Sequence, residues 1–456
     1  VDLRAQKIAF AATSRLTESF PATGARLLDA TVRPLVGSAA VSALFARRNR
    51  KAVRGVRRPR RLLVVPDVHI GDAVMTQSAL AALRDFFPDA EIDYVINRIV
   101  APVIEGNPDA TRVMPIFSGG QFPSPADLEA VRGVMRRGRY DLLFNFGSFM
   151  DARDLVEQGE PFISFMTHGP ALVRNEADPG VINHFSYQYY RFVRGVVGMF
   201  AEPVRGEHYP GVRTSYGDEV IEEAAGVASS LGLAEGAPVV MINPDGACRF
   251  TLPPFASLAA LLERIAADTP PDTTIMLGAG HNWAGIGQRL VDAVPPGLRA
   301  KLRIIPKAVR LEVYAALMDF ADVFVTGDTG PLHLAAARRY ARTGTHAFRN
   351  RTAVLSIFGA TVPRMSGYDA FQPGFLPANQ DAPSWCYQAG SPCRNITCLN
   401  KYFKTCRTVR CFEHVDVTHL AAVVVAHVAR VASGEAGGAS PGYTPEIASR
   451  TLPAAP

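Results

Sequence analysis

The run from Val323 to Ala337, VFVTGDTGPLHLAAA, constrains the fold of this chain more than any other stretch. Val323, Phe324 and Val325 make the short apolar run of a buried parallel strand, Gly327 to Gly330 make a turn, and Pro331 stands where a first helical residue is tolerated. A strand that turns directly into a helix belongs to an α/β sheet, and the amides of the helix start point toward whatever lies beyond the strand end. An anion there is stabilised by hydrogen bonds and by the peptide dipoles. Asp328 or Thr329 is the expected cap of this helix, and His333 is expected to face the same mouth one turn in. A capped helix with no ligand has the same pattern, so the segment alone fixes architecture before chemistry.

At 456 residues, 48% hydrophobic, the chain is too long for one compact core and fits two α/β domains plus appendages. No window approaches the roughly 20 apolar residues of a membrane span, and the first residues lack a secretory signal pattern. The expected location is therefore cytoplasmic. The net charge of +6 is uneven: residues 47–61, RRNRKAVRGVRRPRR, hold nine Lys or Arg and no acid. Upstream, residues 1–45 have the spacing of amphipathic helices broken at Pro21 and Pro34. Residues 1–58 thus form a basic, amphipathic extension. It suits peripheral contact with the anionic inner face of the cytoplasmic membrane, or else a solvated arm or an extra helix packed on the body. Nucleic acid is not an expected partner, because the basic run has no interleaved aromatic residues for base stacking. Residues 434–456, rich in Gly, Ala, Ser and Pro, have the composition of a disordered tail.

Between these ends the hydrophobic pattern alternates. Arg60 to Pro66 is expected as a strand, Ile70 to Phe87 as a helix and Glu91 to Ile96 as the next strand, the opening of a doubly wound sheet. Further strands are expected at Arg112 to Phe117 and Tyr140 to Phe146, with Asp127 to Arg137 as a helix between them. The pattern weakens from Gly147 to Pro210, where the aromatic run Phe185 to Phe192 suggests an acceptor-side insertion. Tyr216 to Leu231 should bridge to a second domain with strands at Ala237 to Asn243, Thr274 to Leu277, Leu302 to Ile305, Val323 to Val325 and Ala353 to Phe358.

Ligands of such sheets bind outside the carboxyl ends of the strands, and three loops fall there. The first is Asp67 to Asp72, DVHIGD, in which Asp72 is the candidate general base for a sugar hydroxyl, with Asp67 and His69 as rivals and a helix cap as the non-catalytic alternative. The second is Asn243 to Arg249, NPDGACR, where Gly246 lets backbone amides approach a ligand and Arg249 offers a planar cation to phosphate oxygens. The turn at 327–333 is the third. The chain has no GxGxxG dinucleotide fingerprint after either opening strand, no phosphate loop with Gly-Lys-Ser/Thr and no Asp-x-Asp pair. Nicotinamide and nucleoside-triphosphate chemistry lose support, and the charge of a leaving group is expected to be met by helix amides and Arg249, with no cofactor required for catalysis.

Cys386, Cys393, Cys398, Cys406 and Cys411 cluster near the C-terminal end. In a cytoplasmic protein this points to metal or unpaired thiols before disulfides. Cys393-x4-Cys398 and Cys406-x4-Cys411 could supply four thiolates to a structural zinc or iron ion, though the spacing is looser than a C-x2-C knuckle.

Residues 71–90, GDAVMTQSALAALRDFFPDA, with Asn243 to Ala247 and Gly327 to Ala337, taken in this order, resemble glycosyltransferase family nine, which includes the ADP-heptose:lipopolysaccharide heptosyltransferases. The resemblance spans about residues 60 to 430. It implies a GT-B architecture, two Rossmann-like doubly wound domains facing a central cleft: residues 59–215 binding the acceptor and residues 216–433, with the cysteine cluster, binding the nucleotide-sugar donor. It also implies transfer with inversion, Asp72 as base, Asp328 on donor-sugar hydroxyls, and Thr329, Gly330, Leu332 and His333 around the diphosphate. Arg249 stands near a phosphate-binding Lys of many members. Where the family often has Gly-Gly-x-x-Glu, this chain reads GAGHNWAG at 278–285 and lacks the acid; residues 338–351 are an insertion.

The expected activity is an inverting, metal-independent transfer of a sugar, such as a heptose, from a nucleotide diphosphate donor, such as ADP-heptose, to a glycan or glycolipid such as lipopolysaccharide core. Alternatives are a noncatalytic nucleotide-sugar or phosphate sensor, or a related enzyme with a non-heptose donor or a protein acceptor. In some relatives that modify autotransporters the terminal cysteines hold iron.

Overall fold

The computed structural model describes residues 55–56, 58–119, 123–147, 161–165, 184–207, 209–247, 251–341, 352–361, 363–368, 383–390 and 410–435. Nearly all of the basic extension, most of the terminal tail, Arg249, Cys248, Cys393, Cys398 and Cys406 therefore lie outside the described residues.

The first half runs β1 (Arg61–Val65), α1 (Ile70–Phe86), β2 (Glu91–Asn97), β3 (Arg112–Phe117), α2 (Pro125–Gly138), β4 (Leu142–Asn145), β5 (Phe162–Ser164), α3 (Phe185–Val197) and β6 (Arg213–Tyr216). The second half continues with α4 (Asp218–Ser230), β7 (Val239–Ile242), α5 (Phe255–Asp268), β8 (Thr274–Leu277), α6 (Ile286–Ala293), β9 (Leu302–Ile304), α7 (Leu311–Met318) and β10 (Val323–Gly327). After these come α8 (Gly330–Ala335), β11 (Arg338–Ala341), β12 (Ala353–Phe358), β13 (Ser384–Gln388) and α9 (Val417–Ala432).

Strands β1 to β5 form one parallel sheet in the order 3-2-1-4-5, and β7 to β10 with β12 and β13 form another in the order 13-12-10-7-8-9. This is an α/β fold of two Rossmann-like sheets. Such strands are covered by helices on both faces and need continuous apolar runs. Leu62, Leu63, Val64 and Val65 of β1 and all six residues of β12 are buried.

The chain order within each sheet reverses at one place. β2 and β3 extend one side of β1 before β4 adds to the other, and β8 and β9 extend one side of β7 before β10 adds to the other. The crevices at these reversals, between β1 and β4 and between β7 and β10, are where doubly wound sheets bind ligands. The loops after β1, β7 and β10, all singled out in the sequence, open at those two crevices.

Two sequence expectations change. Within the Gly147 to Pro210 stretch the described residues are built into the first half: β5 extends the sheet, and the aromatic run forms α3, which packs on α1 with Tyr189, Tyr190 and Phe192 buried. Its aromatic residues are there for packing, including an edge-on contact of Tyr189 with Phe146 at 5.2 Å. The expected insertion after α8 begins as β11, which pairs in parallel with β6. A strand from one end of the second half thus ties to the chain that enters it.

Candidate functional site

The site is built where two helix starts meet. α1 begins after a loop of four residues beyond β1, and α8 after two residues beyond β10. Gly71 of α1 lies against the His333 ring, so closely that a Cβ there would sit 2.5 Å from His333 Cδ2. Gly330 lies against Ile70 in the reciprocal way, with a Cβ position 2.6 Å from Ile70 Cβ. The two glycines permit this approach because they carry no side chain, and they bring the carboxyl ends of β1 and β10 together.

On the α1 side, His69 occupies the cap position without a side-chain cap bond, and Asp72 sits in the first turn. Asp72 is therefore not the cap. The loop is braced by Asn97, whose Nδ2 donates to the Val68 carbonyl at 3.1 Å, and by Asp67 Oδ1, which accepts from the Val68 amide at 2.8 Å. His69 Nδ1 lies 3.3 Å from Asp67 Oδ1 and 3.6 Å from Asp72 Oδ2. The Asp72 side chain is about one-third exposed, so water reaches it although protein walls it on most sides. Its pKa is raised to about 7, first by loss of solvent, then by the negative charge of Asp67 and of Asp328, with His69 acting in the opposite direction. A carboxyl with that pKa is poised to take a proton near neutral pH.

On the α8 side the turn is dense and polar. Thr329 stands at the cap position but makes no cap bond; its Oγ1 pairs with Thr326 Oγ1 at 3.0 Å and accepts from Asn243 Nδ2 at 3.3 Å. Of the two expected caps Thr329 holds the position, but its hydroxyl is engaged by Thr326 and by Asn243 of the β7 loop in place of a helix amide. Burial raises the pKa of Asp328, and hydrogen bonding from Ser366 works against that rise. Leu332 is fully buried, and its amide donates to the Thr329 carbonyl at 3.0 Å. α8 has only six residues, so any anion would be held by the local amides of the turn more than by a long aligned dipole.

His333 is buried and bonded through Nδ1 to Tyr368 Oη at 2.7 Å. Desolvation pushes its pKa down to about 3, so it stays neutral at ordinary pH. The Tyr368 ring also packs on His184, centroids 4.8 Å apart, and burial likewise pushes His184 down to about 3. His184 is the cap of α3, where its Nδ1 accepts from the Ser186 amide at 3.2 Å. The junction layer of His184, Tyr368 and His333 is therefore uncharged and fixed.

The β7 loop places Gly246 beside Thr329, with a Cβ position 3.1 Å from Thr329 Cγ2 and 2.7 Å from Thr251 Oγ1. Close packing is the reason for glycine here. Its own amide donates to Asp245 Oδ1 at 3.0 Å. Asp245 was missed in the sequence. Its carboxylate also accepts from the amides of His281 at 2.6 Å, Asn282 at 2.9 Å and Trp283 at 3.2 Å, and so pins the loop that replaces the expected Gly-Gly-x-x-Glu. Asn243 was missed too: its Nδ2 reaches Thr326 Oγ1 at 3.1 Å and stitches the β7 and β10 loops. The usable signal was adjacency, since a polar loop after one parallel strand must meet the loops of its sheet neighbours. Arg249 lies outside the described residues. Of the four cysteines proposed for a metal only Cys411 is described; it is buried in the hydrophobic core, next to Phe412.

Residues 260–401 match the model of glycosyltransferase family 9 (heptosyltransferase). Among solved structures, the chain is similar to the glycosyl transferase family 9 protein from Veillonella parvula DSM 2008. The TM-score is 0.57 at 16% identity, over 81% of this chain and 98% of that one. It is also similar to E. coli ADP-heptose lps heptosyltransferase II, with a TM-score of 0.54 at 15% identity over 82% of this chain and 99% of that one. At such identities the likeness is one of fold, the GT-B arrangement of two Rossmann-like sheets. No curated protein matches in sequence. No helix among the described residues is long and apolar enough to cross a membrane.

Proposed function

We propose that this chain, a glycosyltransferase family 9 enzyme, transfers a sugar from a nucleotide diphosphate donor with inversion, using Asp72 as the base. The observation that carries the reading is the meeting of Asp72 with the Asp328 to His333 turn across the two helix starts, each at the crevice of its own sheet. The acceptor lies over the first sheet and its hydroxyl faces Asp72. The donor lies over the second sheet, its sugar hydroxyls toward Asp328 and its diphosphate along Thr329 and Gly330. As the hydroxyl oxygen attacks the anomeric carbon, its proton passes to Asp72 and the bond to the diphosphate oxygen breaks in line. The electron pair leaves with the nucleoside diphosphate, where turn amides offset its charge, so the step calls for no metal.

We further propose a heptose donor such as ADP-heptose and a glycolipid acceptor such as lipopolysaccharide core, on the likeness in fold to the E. coli ADP-heptose lps heptosyltransferase II. An acceptor of that class and the basic run at 47–61 suit peripheral action at the inner face of the cytoplasmic membrane. The test is a panel of nucleotide sugars and acceptors read by mass spectrometry, with Asp72→Asn as control. A glycosylated product from the unaltered enzyme and none from the variant is the expected result. Binding of nucleotide sugars with no product from any acceptor would mark a sensor.

A further inference from the structure

We propose that His69 is the proton relay of this site, a positioning residue that holds Asp72 ready and carries its proton to solvent after each transfer. The proposal rests on the base assignment above and adds the step that assignment leaves open. A base must shed the proton it has taken before it can act again, and although a third of the Asp72 side chain meets water, the imidazole beside it offers a faster acceptor than water itself. His69 Nδ1 lies 3.6 Å from Asp72 Oδ2, and the His69 side chain is 40% exposed, so one end of the ring faces the base while the residue reaches water. Asp67 Oδ1, 3.3 Å from the same nitrogen, stabilises the imidazolium while it holds the proton. The sequence of events balances: the acceptor oxygen loses its proton to Asp72, Asp72 passes it to His69 Nδ1, and the ring releases a proton to water. No oxidant or further reactant is involved.

The surroundings of Asp72 define what must be controlled. Asp67 and His69 face it from its own loop, Asp328 from the α8 turn, Tyr94 from β2 and Tyr189 from α3. Asp67 and Asp328 raise the Asp72 pKa and His69 lowers it. Removing His69 must therefore move Asp72 toward higher pH, whereas removing the Asp67 charge must move it lower. Opposite shifts from two neighbours in one short loop distinguish an electrostatic chain from general damage to the fold.

Two measurements on the full-length protein test this. The first is NMR titration of carboxyl-labelled aspartate, with Asp72 assigned by its loss in Asp72→Asn. His69→Gln should raise the Asp72 midpoint and Asp67→Asn should lower it; no change with His69→Gln, or shifts of the same sign, would overturn the proposal. The second is turnover of ADP-heptose with a lipopolysaccharide-core acceptor. His69→Gln should lower kcat about ten- to a hundredfold with donor KM unchanged, and added imidazole should restore kcat in proportion to its concentration. A kcat unaffected by the substitution, or a loss that imidazole does not relieve, rules the relay out. Asp67, His69 and Asp72 also place ligand atoms within 4.8 Å of one another, as a divalent ion would require. Activity lost on EDTA dialysis and recovered with Mn²⁺ or Zn²⁺ would replace the relay with a metal site. Turnover by Asp72→Asn at the wild-type rate would instead bring down the assignment of Asp72 as the base, a failure distinct from a His69→Gln enzyme that simply works.

Discussion

The two strand-to-helix junctions that meet at the site solve the same geometric problem with opposite physics. After β1 the loop is open, holds Asp67, His69 and Asp72 in loose mutual contact, and leads into a 17-residue helix. After β10 the turn is tight and buried, its polar groups are tied to Asn243, Thr326 and Tyr368, and its helix has six residues. The open junction keeps a group that can change charge near neutral pH. The closed junction keeps groups whose charge is fixed: His333 neutral, the threonines bonded to neighbours. The proposed transfer has to move a proton and also hold a constant shape, which needs one of each, and the fold supplies them from different sheets.

The largest effect should come from the open side. Asp72→Asn replaces a carboxylate with an amide that takes no proton near neutral pH, and should lower turnover by about 10²- to 10⁴-fold while donor affinity, read by calorimetry, is kept. A variant that loses donor binding as well would mean that the two junctions do not divide the work as described.

Next is the closed side. A Cβ at Gly327 would lie 1.8 Å from the Thr251 backbone oxygen, with no flexible end to give way. Gly327→Ala should cost about 1–3 kcal/mol or more in urea unfolding. Gly71→Ala, which meets the His333 ring, should be milder because side chains can shift a little, yet it should part the two helix starts and lower activity. Equal stability of Gly327→Ala and the parent would show that the closed junction has slack.

The comparison also has a pH signature. His184 and His333 have folded pKa values near 3 against an ordinary value of 6.5, so the unfolded chain binds protons that the folded chain refuses. The stability from keeping them neutral is present above pH 6.5 and is lost as pH falls from there toward 3. His333→Gln should lose stability at pH 7, through its broken bond to Tyr368, and should show a shallower decline on acidification, measured by urea midpoints from pH 7 to 5.

Asp72 has the opposite sign. Its folded pKa of about 7 lies above the unfolded value, so folding is unpenalised below about pH 4 and loses stability as pH rises through 7. Asp72→Asn should therefore be more stable than the parent at pH 8, with the difference gone near pH 4. Water reaches a third of the side chain, so the gain should be modest, on the order of 1 kcal/mol. This is the smallest effect, and its sign is what matters.

Much of the fold was legible in the chain because its signals are local. The apolar runs of β1, β7, β10 and β12 and the glycines and prolines that punctuate them are governed by backbone sterics and by the need to bury strand faces. The same holds for the general location of the site, since strand ends with short polar loops are visible one by one. Three kinds of information were not local. The aromatic stretch of α3 suggested an acceptor-side insertion because its partner, α1, lies about a hundred residues away, and burial on one helix face does not say against what. The packing that demands glycine at 246 was not legible, because the crowding comes from Thr251 and from Thr329 of another loop. Asp245 was overlooked since its donors lie some 36 residues further on.

The sequence by itself determined that two parallel sheets would form and that Asp72 and the Asp328 to His333 turn would each stand at a strand end, because hydrophobic spacing and turn chemistry act between near neighbours. Only the tertiary structure decided that the two stand at chain reversals facing each other, that Asp72 titrates near 7 and that His333 does not titrate near neutral pH. Those properties depend on which charges and apolar surfaces arrive from distant segments, and loss of solvent has no value until the whole chain has closed around the group.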